Sequence, residues 1–288
     1  ASGPPRKRRR STAQPVNGVP EHKSPVVAGP PGERRGSRLF VDLKKPLGLH
    51  VQLSELRTSY FGVQVPLDIP KDPVDTALVS IDKQLESLPA LDIFSFQILA
   101  GLLSRSEGPL KNAIRGRGHA YGIGIHARAE NGHMAIYISH AVDPIKALHA
   151  LWEVIEDMCT EEGWAARVNE VQLELSKSMY TFRLYQSPGS AIPFDDATAI
   201  LRGFSGLEES IKWSTRHIEH ITLDDLRRVF LRFFRPIVQK TGKHIYLFTT
   251  PTKTEDEESE FMKQLNDNPY DIEFKQIELS VLDPIVRL

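Results

Sequence analysis

Apolar and polar positions run through this chain in two rhythms, and each change of rhythm marks an element. Tyr60-Phe61-Gly62-Val63-Gln64-Val65 has the character of a strand, closed by Pro66 and by the prolines at 70 and 73. Beyond Asp75 the pattern turns helical: Leu78, Ile81, Leu85 and Leu88 keep helical spacing until Pro89 interrupts them. A second helix is predicted over about 92–105, carrying Ile93, Phe96, Leu99, Leu102 and Leu103. Its low polarity implies burial on several sides. Strands follow over 121–126 and 133–140, joined through Glu130-Asn131-Gly132, because Asn-Gly tolerates the positive φ of a tight hairpin turn. Met134, Ile136 and Ile138 alternate with Ala135, Tyr137 and Ser139, so helices should cover one face of this hairpin.

Asp143-Pro144 supplies an N-cap acceptor and a proline at the first helical position. Leu148, Leu151, Trp152, Ile155, Met158 and Cys159 then mark the buried side of a helix closed by Gly163. Further helices are predicted over about 169–185, 195–204 and 207–215. Thr222-Leu223-Asp224-Asp225 starts another as a capping box with aspartate in the usual glutamate position, and Pro236 stops it. Residues 244–250 and 272–280 are strand-like, with an acidic helix over 255–265 between them. Upstream, Pro46 and Gly48 break 39–56 into a transitional stretch without a long element. The plan is α+β: one sheet with helices packed on it.

Composition adds a boundary. Residues 1–40 carry nine Lys/Arg against two Asp/Glu, whereas 41–288 carry 27 against 35. The first 40 residues are rich in Pro, Gly, Ser and Arg and too poor in large apolar residues to offset chain ordering, so a disordered tail is expected. Arg6-Lys7-Arg8-Arg9-Arg10 suits a nuclear-import signal or a weak nucleic-acid patch, but a solvated tail is the preferred reading. The acidic remainder argues against a nucleic-acid-binding body. No apolar run approaches the roughly 20 residues that span a bilayer, so no membrane partner is expected. One cysteine, Cys159, excludes an internal disulfide and fits a reducing compartment. The absence of an initiator methionine and of a secretory signal fits either a fragment or an incomplete gene model.

The chemistry centres on 106–125, where a helical pattern feeds a hairpin through Gly116, Gly118 and Gly122. Such a loop can project Arg115 and Tyr121 as two donors towards one ligand, or it can be a helix-to-strand connection with basic surface decoration. None of the ten histidines belongs to a His-x-x-Glu-His motif. His217-Ile218-Glu219-His220 is one residue too short and is placed just before a capped helix. His119, His126, His133 and His140 recur every seven residues, but strand geometry alternates their faces, so they do not make one cluster. No Gly-x-Ser-x-Gly elbow or phosphate-binding loop is present. The three tryptophans suit core or rim positions, and Glu153, Glu156 and Asp157 suit solvent-facing helix positions.

Glu107-Gly108-Pro109-Leu110, Ile114-Arg115-Gly116 and Ala120-Tyr121-Gly122 give the chain a family likeness. They resemble the C-terminal half of the pitrilysin/insulinase metallopeptidases, closest to the presequence-protease-like branch. The resemblance covers roughly 59–284, within a domain of 41–288. It implies an α+β (LuxS/metallopeptidase-like) half, with an antiparallel-rich sheet under long helices. It also implies that Arg115 and Tyr121 hydrogen-bond the backbone of a peptide substrate beside the cut, the phenol helping to stabilise the developing oxyanion. Gly122 and Gly124 would let that peptide approach as an added strand, with His119 a lesser candidate. Zinc would belong to an N-terminal half, as a partner chain or the same chain, so this chain should be inactive alone. An intracellular site, cytoplasmic or mitochondrial, is expected. A scaffold or interaction subunit of the same fold is the alternative.

Overall fold

In the computed structural model, residues 45–66, 88–128, 133–186 and 207–278 are described, all within a unit spanning 34–288. The alternating segments build a six-stranded sheet: β1 (Leu47–Gln52), β2 (Ser59–Pro66), β3 (Ala120–Arg128), β4 (His133–Ala141), β5 (Ile245–Thr250) and β6 (Glu273–Gln276). Their spatial order is β3-β4-β2-β5-β1-β6. The pairings β3–β4, β4–β2 and β2–β5 are antiparallel, while β5–β1 and β1–β6 are parallel. Among the described residues β3 is therefore an edge strand, with no strand paired on one flank.

The helices are α1 (Leu88–Ser104), α2 (Pro109–Ile114), α3 (Pro144–Cys159), α4 (Glu161–Ala165), α5 (Glu170–Gln186), α6 (Leu207–Glu219), α7 (Leu223–Phe233) and α8 (Glu255–Asn266). Their apolar sides and one sheet face form a single buried cluster, to which β2 gives Phe61 and Val63 and β4 gives Met134, Ile136 and Ile138. Among the described residues, a smaller separate apolar group consists of Leu49 and Ile245 with Leu47, Leu247 and Ile277 around it. The fold is thus α+β, an antiparallel-rich sheet layered under helices. Two polar devices fix the layers. Trp152 Nε1 donates to Tyr246 Oη at 2.9 Å, and that hydroxyl donates to the Ile237 carbonyl at 3.1 Å. Asp92 on α1, nearly buried, accepts from Arg228 at 2.6 Å and Arg232 at 2.9 Å on α7. A carboxylate with two guanidinium partners is a charge that burial tolerates.

Caps form where the composition placed them. Asp143 accepts from Lys146 N at 2.9 Å with Pro144 opening α3, and Thr222 and Asp225 form the reciprocal box that starts α7. Four readings need correction. Residues 47–52 are an inner strand, because Gly48 lets the Phe274 ring of β6 lie against the backbone where a Cβ would collide with it. α1 starts at Leu88, since Pro89 in a first turn has no intrahelical bond to lose. α3 ends at Cys159, and Gly163 lies inside the short α4, whose Thr160 cap accepts from Gly163 N. α6 continues to Glu219 and so includes His217. The expected tail, the helix through Leu78 to Leu85, the 195–204 helix and the Asn131-Gly132 turn lie outside the described residues. Among the described residues no helix is long and apolar enough to cross a membrane.

Gly48→Ala should cost about 1–3 kcal/mol through overpacking against the buried Phe274 ring. A chemical-denaturation midpoint equal to wild type would show that β6 can step aside.

Candidate functional site

The site begins with a short helix that the sequence fixes at both ends. Gly108 is the N-cap of α2 and Pro109 its first residue, and Leu110, Ala113 and Ile114 bury the helix against the core. The turn beyond it closes with Gly118 N donating to Arg115 O at 2.9 Å and His119 N to Ile114 O at 3.0 Å. Gly118 has φ +76, a value that excludes most side chains. The His119 carbonyl accepts from Val142 N and Asp143 N at 3.0 and 3.2 Å, which ties this turn to the β4–α3 junction.

Arg115 and Tyr121 meet here. The guanidinium carbon lies 4.5 Å from the Tyr121 ring centroid, a cation–π contact on the surface. Tyr121 is 64% exposed at the start of β3. Among the described residues neither the guanidinium nor the phenol hydroxyl has a hydrogen-bond partner, so both keep their donors for a ligand. Arg117 differs: its Nη1 is held by Glu153 at 2.6 Å.

His140 completes the group, and sequence reasoning missed this. Its φ is +53, and the β2–β4 register slips beside it, with Ser59 opposite Ala141 but Phe61 opposite Ile138. The irregularity turns the imidazole towards two phenols: its ring lies 5.2 Å from Tyr60 and 6.4 Å from Tyr121, and Nε2 is 3.3 Å from Tyr60 Oη. A bulge that re-aims a side chain is a frequent companion of functional sites. The only signal in the chain was the pairing of tyrosine and histidine across two strands, which depends on a register that sequence does not print.

The remaining candidates divide. Gly122 and Gly124 lie on the other sheet face, and a Cβ on them would strike Ser139 Oγ and the Tyr137 ring. Their lack of a side chain thus makes room for β4; among the described residues no strand pairs with the other flank of β3. His119 is half-buried, and its charge helps, in a minor way, to hold the Asp143 carboxyl low. Burial raises that carboxyl, and the bonds from Lys146 outweigh it. His126 stacks on Tyr137 at 5.0 Å, while His140 lies beside Tyr60 and Tyr121, so these two members of the seven-residue series sit in different surroundings. His217 is buried at the end of α6 between Phe94 and Trp213, donating from Nδ1 to the Trp213 carbonyl at 2.9 Å. Burial lowers its pKa, while His220 lies exposed beyond the helix. Among the described residues no three His, Cys, Asp or Glu side chains are placed to hold a metal ion. Cys159 is half-buried, and burial pushes its thiol up against the pull of Arg227 and Arg235. A cleft of about 460 Å³ lies on the far side of α2, lined by Pro109, Asn112 and Arg117 but by neither Arg115 nor Tyr121.

No family model matches the chain, and no curated protein matches it. Among solved structures it is similar to a candidate zinc protease from Bordetella pertussis Tohama I, with 17% identity over 69% of this chain and 97% of the other at a TM-score of 0.47. It is also similar to the inactive peptidase domain of a candidate zinc protease from Bordetella parapertussis, with 17% identity, 68% and 92% coverage and a TM-score of 0.48. A third is a protein assigned to the insulinase family of proteases, from Yersinia pestis, with 11% identity, 78% and 46% coverage and a TM-score of 0.43.

Proposed function

We propose that this chain is the zinc-lacking C-terminal part of a pitrilysin-type metalloendopeptidase of the presequence-protease-like branch, holding the peptide backbone and closing the chamber around it. The observation that carries this reading is the adjacency of Arg115 and Tyr121, 4.5 Å apart with uncommitted donors, at the head of an edge strand. A peptide laid along β3 would extend the sheet through backbone hydrogen bonds, with its residues passing the two side chains in turn. The guanidinium offers charged donors in a rigid fork, and the phenol donates one hydrogen bond without bringing charge. Neither side chain activates water, so on this reading the water-activating metal comes from the N-terminal half. The zinc is assigned to an N-terminal half, and a reducing cytoplasmic or mitochondrial compartment suits the unpaired Cys159.

Hydrogen exchange tests the docking step. Adding an extended unstructured peptide should slow exchange of the β3 amides that point away from β4, and Arg115→Ala should weaken that protection. Unchanged β3 exchange at saturating peptide, with protection elsewhere, would remove this edge from the mechanism.

A scaffold or interaction subunit is the second reading, favoured by a separate observation. Val171, Leu175, Met179, Phe182 and Tyr185 all remain exposed along one side of α5. An apolar stripe of that length is a feature of partner surfaces. If it is the chain's whole business, Arg115 and Tyr121 can be replaced without consequence.

A further inference from the structure

Tyr60, His140, Tyr121 and Arg115 form a chain of contacts that starts on an inner strand and ends at the surface. Tyr60 belongs to β2, which is paired on both flanks, with β4 and with β5. Its ring is half-buried, and Thr249 Oγ1 donates to its carbonyl at 3.4 Å. Its hydroxyl lies 3.3 Å from His140 Nε2, so a hydrogen bond in either direction ties the imidazole to β2. His140 stands opposite Tyr121 across β3 and β4, between the pairs Ala120–Ala141 and Gly122–Ser139. The two rings meet edge to face at 6.4 Å, within the range of aromatic contact. Arg115 then lies over the Tyr121 ring at 4.5 Å. An exposed tyrosine free to turn would have to be ordered by each ligand it meets, and contacts already in place lower that cost. The backbone of His140 points the same way. Its φ of +53 lies in the left-handed region, which glycine adopts without the free-energy cost that a side chain brings. His140 is exposed and fills no part of the core, so packing does not explain that strain.

We propose that His140 is a positioning residue: anchored by Tyr60, it holds the Tyr121 ring in one rotamer, so that the phenol hydroxyl meets a peptide already placed. The inference rests on the peptide reading above, since the hydroxyl being placed is the one that reading uses. His140 itself touches no substrate. Its order comes from β2, a strand fixed on both sides, which is the kind of support that a precisely held donor needs.

Ring NMR of the full chain, with labelled tyrosines and the Tyr121 signal assigned by its loss in Tyr121→Phe, tests the proposal without a ligand. The wild-type ring should keep one χ1 rotamer. His140→Gly should let it average over several, and Tyr60→Phe, which removes the anchoring hydroxyl alone, should do so in part. The melting temperature of His140→Gly should stay level or rise, because glycine relieves the positive φ. Binding of reduced, carboxymethylated ribonuclease A, an unfolded polypeptide, should weaken about two- to tenfold in His140→Gly, as expected when one side chain must be ordered on binding. In a Tyr121→Phe background the same change should add nothing, an outcome that a general structural loss would not produce. A wild-type ring that already averages, or one that both His140→Gly and Tyr60→Phe leave unmoved, would overturn this inference alone. Failure of the wild type to bind the unfolded probe would overturn the peptide reading and this inference with it.

Discussion

Acidification from pH 7 to about pH 4.5 is expected to remove on the order of 5 kcal/mol of folding stability, against the roughly 5–15 kcal/mol that folded domains hold. The cause is a set of histidines that the fold keeps neutral. Burial, helped by the nearby charge of Lys253, holds His50 down to about 4, and burial alone takes His244 to about 3. The Glu258 carboxylate lies 4.0 Å from His50 Nδ1, too far to donate or accept usefully, so it does not restore the charged form. His217 is shifted the same way by burial. The unfolded chain binds these protons near pH 6.5, so below that value it holds more protons than the native state and stability falls with pH. Above it the full contribution is present.

His244→Phe should flatten this dependence by about half while costing little at pH 7, because both ring nitrogens of His244 lack partners and an apolar ring asks for none. Thermal midpoints measured from pH 7.5 to 4.5 provide the check. A flat profile for the wild type would mean that these imidazoles find protons, or water, that their burial denies them. Asp225 acts lower on the scale: burial raises its carboxyl, but bonds from Thr222 and Arg228 outweigh that and hold it below the usual range.

Tyr121→Phe is expected to lower turnover by about 10²–10³ once the zinc-bearing half is supplied, with little change in KM. The phenylalanine ring preserves the surface on which Arg115 rests, so only the hydroxyl is lost. Arg115→Ala should raise KM as well, because the guanidinium acts on the bound substrate as much as on the transition state. Equal kinetics for wild type and both variants would favour the scaffold reading.

What the chain disclosed in advance followed the range of the interactions. The hairpin, the Asp143 and Thr222 caps and the buried side of α3 depend on neighbours within a few residues, and all are present. β1 was hidden because Pro46 and Gly48 look like breakers, whereas Gly48 is a packing partner of Phe274, more than two hundred residues away. That His217 is a core ring could not be read from its own spacing, since it packs against Phe94 on another helix. Arg115 and Tyr121 could be singled out because the turn joining them is local. Tyr60 and His140 could not, because only the slipped β2–β4 register brings them alongside.

The central claim is that this chain supplies substrate donors and another supplies the metal. Peptide cleavage should be measured for the purified chain, for a zinc-bearing N-terminal half of a pitrilysin-type enzyme, and for the two mixed, each with and without a chelator. The account predicts chelator-sensitive cleavage by the mixture well above either component, and none by the chain alone. Cleavage by the isolated chain, or a mixture no faster than the zinc-bearing half by itself, would contradict it.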